Sequence, residues 1–70
     1  MDDLAGREVF IEIKQNGSVL RVAAVDAETG IEAIITAPAN MPRAAIHRAA
    51  VQKLRYVLEK RGHLSSQGRP

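Results

Sequence analysis

The sequence predicts an α+β fold of the β-β-β-α type, in which a three-stranded antiparallel β-meander precedes one C-terminal α-helix packed on one sheet face. Three observations indicate this fold. Residues 8–26 have the pattern of a β-hairpin, residues 26–30 form a second turn signal, and apolar residues recur at helical spacing from residue 46. We expect a single domain over residues 7–62, with disordered tails at residues 1–6 and 63–70, because both ends lack such patterns.

The hairpin is expected to turn at Asn16-Gly17, because a type I′ turn needs positive φ at both central positions and these residue types adopt it readily. This turn pairs apolar residues on one face: Ile13 with Leu20, Ile11 with Val22, and Val9 with Ala24. On the other face, Glu12 lies opposite Arg21 as a favourable cross-strand pair. A slip by one residue would bury charge, so the pattern favours this register.

The third strand follows the turn "DAETG", where Asp26 can accept from the turn backbone and Gly30 can adopt a left-handed conformation. The expected register is Asp26–Ile31, Val25–Glu32, Ala24–Ala33, Ala23–Ile34, Val22–Ile35, Arg21–Thr36 and Leu20–Ala37. The second strand is therefore central. Pro38 ends the third strand, since proline has no N–H to donate to the ladder.

The helix is expected to begin after Asn40 as N-cap, with Pro42 in its first turn, and to end at Gly62. Six apolar residues share one arc of this helix: Ile46, Ala50, Val51, Leu54, Val57 and Leu58. Four polar residues lie opposite: Arg48, Gln52, Arg55 and Glu59. The apolar arc needs a partner, and the apolar sheet face is the only one in the chain.

Composition argues against an enzyme. The chain has no cysteine, its glycines are scattered instead of forming a phosphate loop, and no base lies beside a serine. The two histidines, His47 and His63, lack a third metal ligand. We therefore expect no catalytic activity, no cofactor and no metal. With no apolar run of about 18 residues and no signal peptide, we expect a cytoplasmic protein without membrane contact.

The net charge of +2 conceals an asymmetry. Residues 1–42 hold seven acidic residues against three basic ones, whereas residues 43–70 hold seven basic residues against one acidic. This division is compatible with a polyanion partner, with attraction between the two halves, or with attraction to a second copy.

The sheet face away from the helix supplies the leading functional interpretation. Phe10, Ala23 and Ile34 are expected to align in one row across the three strands, with Val25 beside them. Isolated apolar residues are common on protein surfaces, whereas a row across a sheet is less so. The row therefore predicts a contact surface for a protein partner or a homodimer. The alternative is a modest apolar patch on a monomer.

The helix offers a second interpretation, because four cations, Arg48, Lys53, Arg55 and Lys60, accompany an exposed Tyr56. They predict an accessory domain that binds a nucleic-acid backbone, with a solvated helix face as the alternative reading and Arg55–Glu59 as an ordinary i,i+4 pair. The outer sheet face has a net charge of −1 and would repel phosphate, so the helix would have to bind.

A weaker signal lies at the helix start, where Arg43 and His47 with the free N–H groups after Asn40 have the character of an anion site. The plainer interpretation places His47 at the edge of the core, packed against the rim of the sheet. Only one cation supports the anion site.

Four segments, "REVFIEI", "VAAVDAETGIEA", "APANMPRAAI" and "AVQKLRYVLEKRG", together resemble a family of short alphaproteobacterial proteins of unknown function. The most distinctive motifs are D-x-x-T-G, P-A-N-x-P-R and K-L-x-Y-V-L, and the resemblance covers roughly residues 7–62. Some such sequences carry the label serine hydroxymethyltransferase, but this chain has no room for a pyridoxal-phosphate fold and no Schiff-base lysine context. The resemblance implies one self-contained domain and no known active site.

Overall fold

The computed structural model describes Leu4 and residues 6–64, which form one sheet and one helix. The elements are β1 (Val9–Asn16), β2 (Val19–Asp26), β3 (Glu32–Pro38) and α1 (Arg43–Lys60). The strands are antiparallel in the order β1-β2-β3, and α1 packs against β3 and β2. The predicted β-β-β-α fold is confirmed.

The register between β2 and β3 is the expected one, from Val25 opposite Glu32 to Leu20 opposite Ala37. Its turn closes as the sequence indicates. Gly30 has φ of +76° and donates its N–H to the Asp26 carbonyl at 2.7 Å. Glycine adopts this left-handed conformation without a steric penalty, because it has no Cβ to collide with the backbone.

The expected register between β1 and β2 is wrong by two residues. Ile11 lies opposite Ala24 and Ile13 opposite Val22, because the turn is centred on Gly17-Ser18 with Gly17 at φ +65°. A shift of two residues leaves every side chain on its original face, so the apolar pattern is the same in both registers. Glycine at the first central position also suits a two-residue hairpin, and here that turn forms.

The core lies between α1 and the sheet. The predicted apolar arc is confirmed: Ile46, Ala50, Val51, Leu54 and Leu58 are buried and Val57 is partly buried. They pack on five buried sheet residues, Leu20, Val22, Ala24, Ala33 and Ala37. The inner side chains of β1, Val9, Ile11 and Ile13, are only partly buried, which follows from the position of α1 over β2 and β3.

The two ends of α1 differ in how well the sequence predicts them. Asn40 is not the N-cap. Pro42 occupies that position, with φ −59° and ψ 140°, and no side chain of the described part of the chain caps the helix. At the other end Gly62 does stop the helix: it has φ +80° and donates to the Glu59 carbonyl at 3.1 Å, while His63 donates to Leu58 at 2.9 Å. This pair of bonds is a Schellman motif.

Most of the two predicted tails, residues 1–3, 5 and 65–70, lies outside the described residues, and there the tail assignment stays a prediction. Two residues from those segments do contact the core. Leu4 is 2% exposed and belongs to the core cluster, and Leu64 packs against it. The packed unit therefore extends beyond residues 7–62.

Candidate interaction surfaces

The open face of the sheet holds the four residues predicted to make contacts, Phe10, Ala23, Val25 and Ile34, which we call the outer patch. The predicted row through Phe10, Ala23 and Ile34 is wrong, because the shifted register places Phe10 opposite Val25 and Glu12 opposite Ala23. The outer patch is diagonal instead. Phe10 is 55% exposed, Val25 and Ile34 are partly exposed, and Ala23 is buried without joining the core cluster.

Charges on this face are segregated along the strands. Glu12 and Glu32, both exposed, lie beside the outer patch, opposite Ala23 and Val25 respectively. Lys14 and Arg21, also exposed, lie directly opposite each other nearer the Gly17 turn. The expected Glu12–Arg21 pair is therefore replaced by a pair of like charges, which is unfavourable within one chain.

The two edge strands of the sheet differ in how far their outer backbone groups are blocked. Along β3, the Lys53 side chain reaches from α1 and donates from Nζ to the Ile34 carbonyl at 2.9 Å. Pro38 at the end of β3 has no N–H to offer. Lysine and proline are the usual means of blocking an edge strand. Among the described residues, β1 has a strand neighbour only on its β2 side.

The basic residues of α1 are partly engaged within the chain. Besides the Lys53 bond, Arg55 Nη1 lies 2.9 Å from Glu59 Oε2, and the Arg55 side chain is only 17% exposed. Lys60 Nζ lies 5.5 Å from the centre of the Tyr56 ring, in cation–π range. Arg48 is exposed. The predicted nucleic-acid surface therefore has three of its four cations held by neighbours in the fold.

The predicted anion site at the start of α1 stays a prediction. Arg43 and His47 are both exposed, so the expectation that His47 packs at the edge of the core is wrong. The helix rotation that buries Ile46 turns the following residue outward. The helix start alone does not make a site.

A buried ion pair at the DAETG turn was not predicted from the sequence. Asp26 is fully buried, and its Oδ2 accepts from Arg7 Nη1 at 2.8 Å and from the Thr29 backbone N–H and hydroxyl at 3.0 and 2.7 Å. Its Oδ1 is buried with no hydrogen-bond partner among the described residues. Nothing in the sequence spacing relates Arg7 to Asp26, which lies 19 residues further along the chain.

Arg7 also connects the sheet to the end of the helix. Its Nη2 donates to the His63 carbonyl at 3.2 Å, and its Nη1 lies 3.3 Å from Glu28 Oε1. The Arg7 guanidinium therefore contacts three groups: the His63 carbonyl after α1, Glu28 in the turn after β2, and the buried Asp26 carboxylate. Such a fork of donors suits arginine and not lysine.

This environment sets the ionisation of Asp26. Burial, the largest single influence, would raise its pKa, but hydrogen bonds from Thr29 and Arg7 and the Arg7 charge together lower the pKa below its ordinary value of 3.8. A lowered pKa in the folded state stabilises the domain above the unfolded pKa. That contribution is lost as the pH falls through the folded pKa.

We therefore expect an Asp26-dependent loss of stability below about pH 4. Urea unfolding of the parent and of Asp26→Asn, measured from pH 7 to pH 2, checks this. The free energy of unfolding of the parent should fall towards that of the variant as the pH decreases. A difference between the two that is constant with pH would contradict the assignment.

The described residues contain neither a candidate metal site nor a candidate membrane-spanning helix. Leu4 and residues 6–64 contain no group of three or more histidine, aspartate or glutamate side chains placed to hold a metal ion. The helix of this region, Arg43–Lys60, is not apolar enough to cross a membrane.

The fold and its surfaces define a small α+β domain in which a single helix covers one face of a three-stranded sheet. The chain belongs to the family described as Domain of unknown function (DUF6898), which matches residues 6–61. No curated protein and no solved structure matches the chain. A family of unknown function is thus confirmed, whereas its alphaproteobacterial membership and the serine hydroxymethyltransferase label are not addressed by the match.

Proposed function

We propose that this domain is a small cytoplasmic protein-interaction module of bacteria, without catalytic activity, that contacts a protein partner through the outer patch. The single observation that supports it most is Phe10. It is the chain's only phenylalanine, it is 55% exposed on β1, and Val25 opposite it is partly exposed, as is Ile34 on the same face of β3. A large exposed aromatic next to other apolar side chains is typical of an interface anchor.

The charges around the outer patch describe the partner. Glu12 and Glu32 flank it, so a complementary surface would place an apolar side chain against Phe10 and a lysine or arginine against these acids. Electrostatic complementarity of this kind fixes orientation more than it adds affinity. The same acids disfavour a nucleic-acid backbone on this face.

The alternative function, nucleic-acid binding by α1, receives less support. Lys53, Arg55 and Lys60 already contact groups of the same chain, and phosphate binding would have to compete with those contacts. A test of the proposed function should therefore compare the two surfaces directly.

Photo-cross-linking provides that comparison, since Phe10 and Tyr56 are the only phenylalanine and tyrosine and are similarly exposed, at 55% and 58%. Benzoylphenylalanine would replace each in turn in the native host cell. We expect position 10 to cross-link one discrete protein that is not a second copy of the chain, and position 56 to give none. Cross-links to nucleic acid from position 56, with none from position 10, would favour the alternative.

The variant Phe10→Thr separates contact from folding. Threonine keeps a high strand propensity, so the free energy of unfolding should change by no more than about 0.5 kcal/mol, as for most surface substitutions. Binding to the protein identified by cross-linking should weaken at least tenfold, as titration calorimetry would measure. Unchanged affinity would exclude the outer patch as the contact surface.

A further inference from the structure

Along the edge of β1 that faces away from β2, a defined set of backbone groups has no partner among Leu4 and residues 6–64. The Ala27 N–H donates to the Glu8 carbonyl at 3.0 Å, so an even-numbered residue directs its backbone towards β2. Directions alternate along an antiparallel strand. The N–H and C=O groups of Val9, Ile11 and Ile13 therefore point away from β2, towards the free edge.

The side chains of the same three residues are incompletely covered. They lie on the helix side of the sheet, but α1 crosses β2 and β3 and leaves them partly buried. A strand added beside β1 would thus exchange backbone hydrogen bonds with Val9, Ile11 and Ile13 and would also cover their apolar side chains. The β3 edge offers no equivalent, since Lys53 occupies the Ile34 carbonyl.

We propose that the occupant of this edge is β1 of a second copy of the chain, paired antiparallel about a two-fold axis at Ile11. This arrangement places Ile11 opposite Ile11 of the second copy and Val9 opposite Ile13, so the inner face is apolar from Val9 to Ile13. On the outer face it places Glu8 opposite Lys14 and Phe10 opposite Glu12 on both sides of the axis. The product is a continuous six-stranded sheet.

Neighbouring registers are less favourable, which is what selects this one. An axis at Phe10 places Glu8 opposite Glu12, and an axis at Glu12 places Glu12 opposite itself. Like charges directly opposite each other are destabilising. An axis at Ile13 satisfies the charges but sets Ile11 against Gln15, a polar residue on the apolar face.

This inference goes beyond the proposed function, because it rests on the backbone edge and the inner side chains of β1, whereas the proposed function rests on outer-face side chains. The two surfaces share Phe10, which this register places opposite Glu12 of the second copy. The interface is small, and interfaces that bury less than about 1,200 Å² are generally weak and transient. We expect a dimer that dissociates in the micromolar range. Sedimentation equilibrium of the full chain should show reversible association, and a strict monomer at millimolar concentration would overturn the proposal.

Single cysteines test the register, since the chain has none of its own. Cα atoms of a hydrogen-bonded antiparallel pair lie about 5.5 Å apart, within disulfide range. Under mild oxidation Ile11→Cys should form a covalent dimer. Ile13→Cys, on the same strand and face and similarly buried, should not react with itself but should cross-link to Val9→Cys in an equimolar mixture. Self-cross-linking of Ile13→Cys with none from Ile11→Cys would overturn the register.

Proline substitutions test the edge hydrogen bonds without relying on disulfide formation. Ile11→Pro removes an N–H that points to the free edge of β1, so it should weaken dimerisation at least tenfold. Thr36→Pro is the matched control on β3: its opposite residue Arg21 bonds to β1, so Thr36 also points to a free edge. That control should leave dimerisation unchanged. Circular dichroism verifies that both variants fold, and equal dimerisation of the two would contradict the proposal.

Discussion

Asp26→Ala is expected to destabilise the domain by about 3–5 kcal/mol, the usual result of removing one partner from a buried ion pair. The substitution leaves Arg7 without its buried counter-charge, and it leaves the Thr29 N–H and hydroxyl without their acceptor. A chain of this length has a total stability on the order of 4–10 kcal/mol. We therefore expect a substantial unfolded population at room temperature.

Urea unfolding followed by circular dichroism measures this effect. Asp26→Asn provides a milder companion, because its amide oxygen can still accept from Thr29, and its loss should be smaller. Glu28→Gln is the matched control: Glu28 approaches the same Arg7 nitrogen at 3.3 Å, but it is 72% exposed and should cost at most about 1 kcal/mol. Equal losses for Asp26→Ala and Glu28→Gln would contradict a structural role for the buried pair.

The two hairpins differ in whether the sequence predicts their strand register, and the difference shows how much of the fold can be predicted from sequence. Every side chain was placed on its correct face, because a one-residue slip exchanges the faces and the apolar pattern forbids it. The β2–β3 register also followed, since Asp26 and Gly30 mark the ends of that turn. The β1–β2 register did not, because Asn16-Gly17 and Gly17-Ser18 both suit a two-residue turn and differ by a face-preserving shift of two.

That same shift decides what could be predicted of the surfaces. The members of the outer patch are correct as to face, but their order across the strands depends on the turn, and so Phe10 lies beside Val25 instead of Ala23. The uncovered inner side of β1 was not predicted, since periodicity shows which helix residues are apolar but not which strands the helix crosses. The Arg7–Asp26 pair joins residues 19 apart through tertiary packing, for which no local pattern exists.

Leu4 shows the same limit at the N-terminus, and it leads to a second prediction of large effect. A lone leucine in the segment "MDDLAG" shows no strand or helix periodicity, so the sequence predicts a tail there. In the structure it is as buried as the centre of α1, at 2% exposed against 0% for Leu54. The Arg7 N–H donates to the Leu4 carbonyl at 2.9 Å, so Leu4 is tied to the residue whose side chain binds Asp26.

Leu4→Ala is therefore expected to reduce the free energy of unfolding by about 2–5 kcal/mol, the range for buried leucines. The loss should approach that of Leu54→Ala, which removes the same atoms from the middle of the helix. Val19→Ala serves as the exposed control, since Val19 is 46% exposed and should change stability by about 0.5 kcal/mol or less. A loss for Leu4→Ala no larger than for Val19→Ala would mean that the segment before Arg7 is a tail after all, and that the folded unit begins at the first strand.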